Sequence, residues 1–115
     1  MKSVTTAELL VNGDRLNQSI ASLASIGQLP NGGVKRIAYS KEDIEARNLV
    51  QQWMKDLEME IAIDAAGNII GKYRGKNLLA SAIATGSHID TVPCGGHYDG
   101  AYGAMALARR FFPRY

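Results

Sequence analysis

An α/β fold is predicted by three patterns in this sequence. Two stretches place apolar residues at helical spacing, Leu16 to Ala24 and Ala46 to Leu57. Three short stretches rich in Ile, Leu and Ala follow them at strand length, residues 59–63, 69–73 and 79–87. A Gly-rich segment then leads into an Ala-rich run with the composition of a helix. The predicted order is helix, helix, strand, strand, strand, helix, which begins an α/β layer with an incomplete sheet.

Each element has a local reason. Asn12-Gly13-Asp14 forms a turn with a helix cap at its end, and Leu16, Ile20, Leu23 and Ala24 make one apolar stripe behind it. Gly27 stops that run. Residues 27–36 hold Pro30, Gly32 and Gly33, so they form a loop. Ile37-Ala38-Tyr39 is expected to be a short extended link. Ser40 caps the second helix with Lys41, Glu42 and Asp43 in its first turn, and Ser40 and Asp43 have the spacing of a capping box. Ala46, Val50, Trp53, Met54 and Leu57 are its buried face. A Trp and Met stripe of this kind is most simply core.

Residues 59–63 and 69–73 flank the turn Ala65-Ala66-Gly67-Asn68, the pattern of a hairpin. Residues 79–87 are expected to be the third and most buried strand. Asp99 or Gly100 opens a last helix through Arg110, and Pro113 ends it. No internal repeat or low-complexity segment interrupts this order.

Composition excludes several classes of function. The chain has 115 residues, 46% hydrophobic and 21% charged, with a net charge of +2. That is an ordinary composition for one globular domain. There is no long basic block to follow a phosphate backbone, so nucleic acid is not an expected partner; Arg109, Arg110 and Arg114 suit a solvated helix end. Cys94 is the single cysteine, which permits no internal disulfide and fits a reducing compartment. The first eleven residues lack the apolar core of a signal peptide, and no run approaches the ~20 apolar residues of a membrane span. A cytoplasmic location is the expectation.

The chemistry is concentrated between Thr85 and Gly103. His88 and Asp90, two apart on an extended segment, point to the same side. At the C-terminal end of a strand they would lie where open α/β sheets gather their ligands. Asp99 falls in the loop that opens the next helix. Imidazole and carboxylate both suit zinc. Asp90 could ligate a metal itself or orient His88 from behind, and spacing alone does not choose. A lone His-x-Asp is more often structural than functional. Its company changes that: Thr91-Val92-Pro93, Gly95-Gly96 and Tyr98-Asp99-Gly100.

The run from Gly86 to Pro93, with Gly95-Gly96 and Tyr98-Asp99-Gly100, resembles the metal-binding signature of two-metal amidohydrolases. These are the allantoate amidohydrolases and N-carbamoyl-L-amino-acid hydrolases of the dinuclear zinc aminoacylase and exopeptidase superfamily. The resemblance extends upstream through Asn12 to Leu16, Gly32 to Tyr39 and Asp64 to Ile69, so that it covers residues 12 to 108. It implies hydrolysis of linear amide or ureido C–N bonds, with a metal-bound hydroxide as the attacking group. It implies two divalent ions per complete enzyme: zinc, or manganese, cobalt or nickel. His88 would be a terminal ligand and Asp99 a bridging one. Asp90 would orient His88, while Gly95, Gly96 and Gly100 would permit tight backbone beside the ions. Cys94 and His97 occupy positions that vary in the family, so they are expected to be an incidental thiol and a solvated imidazole.

The same resemblance implies parts that this sequence does not supply. They are a Glu-Glu pair that includes the general base, two further histidines, and a dimerisation domain whose Arg binds the substrate carboxylate. Residues 1–115 would then be a partial catalytic domain of a parent that forms homodimers and acts on a small molecule. The stretch from Ala108 to Tyr115 departs from the apolar helix expected there, as a truncated gene or a shifted frame would produce, and leaves exposed aromatics. Two other readings compete. One is a non-catalytic remnant that binds metal weakly or not at all. The other is a small phosphate-binding α/β module with Gly95-Gly96 at a helix N-terminus. The phosphate module lacks a Gly-Lys-Ser/Thr pattern and places Asp99 where an anion would sit.

Overall fold

A computed structural model describes residues 11–111, with side chains through Ala106. Helix α1 spans Gly13–Ala24, α2 Lys41–Asp56 and α3 Ala101–Phe111; strands β1 (Glu60–Ile63) and β2 (Ile69–Lys72) lie between α2 and α3. The expectations that fall on residues 1–10 and 112–115, and on the side chains of Arg109 and Arg110, lie outside the described residues.

Local chemistry accounts for the helices. Asn12 caps α1, its side chain accepting the Arg15 N–H at 3.1 Å. Asp14 lies inside the first turn, where its charge meets the positive end of the helix dipole. The cap therefore comes two residues before the end of the predicted turn. Leu16, Ile20, Leu23 and Ala24 are buried as the stripe required. Ser40 caps α2 by accepting the Asp43 N–H at 3.2 Å. Asp43 completes a variant of the capping box: its shorter side chain accepts the N–H of Tyr39, one residue before the cap, at 2.9 Å.

That contact corrects the expectation of an extended link at residues 37–39. The Ser40 N–H donates to the Ile37 carbonyl at 3.0 Å, and Tyr39 has φ +65°. The segment is a turn held by the Asp43 carboxylate.

Strands β1 and β2 pair antiparallel, with Glu60 opposite Lys72 and Ile63 opposite Ile69. Their turn is organised by Asp64, which accepts the N–H groups of Ala66 and Asn68 and the Asn68 amide. The Tyr39 hydroxyl donates to the Ala66 carbonyl at 2.7 Å, and Arg47 donates to that of Gly67. The hairpin is thereby fastened to α2.

The third strand does not form. Residues 79–87 have no ladder partner among the described residues, and Leu79 and Ile83 are each 97% exposed. A strand exists only through hydrogen bonds to another strand. The apolar pattern supplies a face to bury but no neighbour to pair with. The described architecture is therefore a three-helix core, Leu16, Ile20, Leu23, Ala46, Val50, Ala101 and Met105, with a two-stranded hairpin on α2.

Candidate functional site

The site is built from two loops laid side by side. Residues 34–36 run against residues 91–95. Val34 and Gly95 exchange both backbone hydrogen bonds, at 2.9 and 2.8 Å, and Thr91 donates its N–H to the Arg36 carbonyl at 2.7 Å. The Arg36 N–H donates to Thr91 Oγ1 at 2.8 Å, and that hydroxyl donates in turn toward the carbonyls of Val34 and Val92. Val34, Arg36, Thr91 and Gly95 are buried. Close contact dictates glycine at position 95, where a Cβ would come within 2.9 Å of the Thr91 Cβ. At the edges of this clamp the Asn31 amide donates to Cys94 Sγ at 3.5 Å and His97 Nε2 donates to the Gly32 carbonyl at 2.7 Å. Cys94 is exposed. His97, expected to be a solvated imidazole, is partly exposed, and its ring is held by that backbone carbonyl.

His88 and Asp90 leave the clamp on an extended segment and not at the end of a strand. The Asp90 carboxylate and backbone carbonyl each lie 3.1 Å from His88 Nδ1. Both are acceptors, so the ring must carry its proton on Nδ1. In the neutral ring Nε2 is then left with a lone pair. The ring packs on Gly100, where a Cβ would fall 2.5 Å from Nδ1 and Cε1. Gly100 also has φ +70°, a conformation that other residues rarely adopt. Ser87 Oγ donates to the Gly100 carbonyl at 2.8 Å. The start of α3 is thus pressed against His88, one residue beyond exposed Asp99. Gly96 has neither a close neighbour nor a positive φ.

Arg36 is a residue that the sequence did not single out. It is 2% exposed. Its Nε donates to the Ile89 carbonyl at 2.7 Å, and Nη1 donates to those of Leu23 and Ile26 at 2.7 and 2.9 Å. Burial pushes its pKa below the usual arginine value, while the charges of Asp43 and Asp90 act against that shift. One arginine in an ordinary Val-Lys-Arg-Ile stretch carries no signal of burial, and only the carbonyls that converge on it reveal its place.

The donors fit a divalent ion in kind but not in number. His88 Nε2 is the free nitrogen of an imidazole held by a carboxylate, the usual arrangement of a metal-binding histidine. Yet among the described residues no three His, Cys, Asp or Glu side chains gather closely enough to hold a metal ion. No described helix is long and apolar enough to cross a membrane.

No protein-family model matches the sequence. Individual proteins do. The chain is 38% identical over 97 residues to an N-carbamoyl-L-amino acid amidohydrolase of Geobacillus stearothermophilus, which covers 84% of this chain and 24% of that protein. It is 44% identical over 84 residues to an allantoate amidohydrolase of Bacillus subtilis (strain 168), 73% of this chain and 20% of that one. The crystal structure of a hydantoinase/carbamoylase family amidase from Burkholderia ambifaria superposes with a TM-score of 0.85 at 40% identity, over 88% of this chain and 25% of the other. The chain spans a fifth to a quarter of the length of these proteins. In sequence and in backbone, this chain is related to the hydantoinase/carbamoylase amidases and corresponds to about a quarter of such an enzyme.

Proposed function

We propose that this chain contributes part of the catalytic domain of a metal-dependent amidohydrolase that cleaves linear amide or ureido C–N bonds. N-carbamoyl amino acids and allantoate, named in its relatives, are the substrates to try first. The observation that carries the reading is the His88–Asp90 pair, seated on Gly100 at the opening of α3 within a segment similar to those amidases. Asp90 holds the proton on Nδ1 and leaves Nε2 available to a divalent ion. Asp99 stands at the neighbouring position as a second donor, and the remaining donors and the general base come from outside the described residues. A dimeric parent in the cytoplasm is part of the same proposal.

The competing reading is a non-catalytic chain, favoured by the lack of a cluster of three metal donors among the described residues. Complementation separates the two. The purified chain is mixed with the remaining three-quarters of a related amidase, and hydrolysis of N-carbamoyl amino acids and allantoate is followed by ammonia or amino acid release. Activity that appears only in the mixture, and that His88→Ala abolishes, supports the hydrolase. A stable mixed complex without activity, or one whose activity survives His88→Ala, overturns it.

A further inference from the structure

Arg36 grips the chain on both sides of Asp90. Its guanidinium binds the carbonyl of Ile89, while its backbone N–H and carbonyl bind Thr91. The other end of the same side chain is anchored in the Leu23 and Ile26 carbonyls, at the C-terminal end of α1. The position of Asp90 relative to His88 is thereby referred to the three-helix core and not left to an exposed loop. A planar guanidinium serves three carbonyls in fixed directions, which a lysine ammonium, a single point charge on a flexible stem, does not reproduce.

We propose that Arg36 is a positioning residue that keeps His88 in its Nδ1–H form, with Nε2 presented as a lone pair. The inference deepens the reading of His88 as a metal-facing residue and rests on it for its purpose. Its geometry does not depend on turnover. His97 supplies an internal control, because it sits at the far edge of the same clamp and its bond to Gly32 requires the opposite tautomer, Nε2–H. A merely structural Arg36 would loosen both rings together. A positioning Arg36 acts on His88 alone.

The test reads ring nitrogen shifts in the 15N-labelled 115-residue chain, at a pH where both histidines are neutral. The wild-type protein is expected to show Nδ1–H for His88 and Nε2–H for His97. In Arg36→Lys, His88 is expected to lose its single tautomer and become a mixture, while His97 and the helical circular dichroism stay as in the parent. An unchanged His88 in folded Arg36→Lys overturns the proposal, and so does a wild-type His88 that is already mixed or Nε2–H. If Arg36→Lys unfolds, two wild-type measurements decide. Nδ1–H at His88, together with an Arg36 Nε–H that exchanges far more slowly than that of exposed Arg74, supports the proposal; equally fast exchange overturns it. Failure of the complementation assay with this tautomer pattern intact would remove the hydrolase reading and leave the role of Arg36 standing.

Discussion

Gly100 and Gly96 look alike in the sequence and differ in the fold. Gly100 has a positive φ, and the His88 ring fills the space where a side chain would begin. Gly100→Ala is therefore expected to destabilise by about 1–3 kcal/mol from the backbone alone, with more from the collision with His88. Gly96→Ala meets nothing within 4 Å and needs no special φ. It should stay within about 0.5 kcal/mol of the parent. Thermal unfolding of the two variants side by side measures the contrast, and equal melting temperatures would contradict it. The sequence could mark glycines as permissive, but it could not say which one a ring would press against. The same limit hid Arg36. Its partners are the carbonyls of Leu23, Ile26 and Ile89, and the last of these is 53 positions away. His88 and Asp90, by contrast, were legible as a pair because an i, i+2 contact on extended chain is local.

Elements held by local signals were readable, and the hairpin turn is the sharpest case. Three donors converge on the Asp64 carboxylate: the Ala66 N–H, the Asn68 N–H and the Asn68 amide. Hydrogen bonds from Asn68, strongest from its side chain, hold the Asp64 pKa below the ordinary carboxylate value. The charged form is thus favoured in the folded turn. Its contribution is present above the unfolded pKa, about 3.9, and is lost as pH falls through the lower folded value. Amide shifts of Ala66 and Asn68 should move together on acidification, with a midpoint below that of an ordinary aspartate. Asp64→Asn should abolish that shared titration, and a midpoint at or above the ordinary value would refute the assignment. Residues 79–87 show the other side of legibility. Their apolar content looked like a buried strand, but strand formation depends on a partner outside the segment, and periodicity carries no information about it. Exposed Leu78, Leu79 and Ile83 are what an unpaired strand segment leaves behind.

At the scale of the whole molecule, the proposed metal site is limited by the number of donors that the described residues bring together. Zinc sites are completed by about four donors, with three protein ligands even where one position stays open. The described residues offer His88 Nε2 and Asp99 as candidates, and no cluster of three forms. His97 is engaged by a backbone carbonyl on the opposite edge of the clamp. Cys94 accepts from Asn31 on that same edge, so neither extends the set. The 115-residue chain should therefore bind zinc or manganese weakly and with at most one ion. What binding there is should depend on His88, and Asp90→Ala should reduce it about 10- to 100-fold through loss of the carboxylate that holds the ring. His97→Ala should leave it unchanged. With the general base outside the described residues, as proposed, turnover by the chain alone should be undetectable, since such a base contributes about 10²–10⁴ in rate. Calorimetric titration of the parent and the three variants provides the measurement. Tight uptake of two ions, or binding indifferent to His88→Ala, would mean that residues other than this pair build the centre.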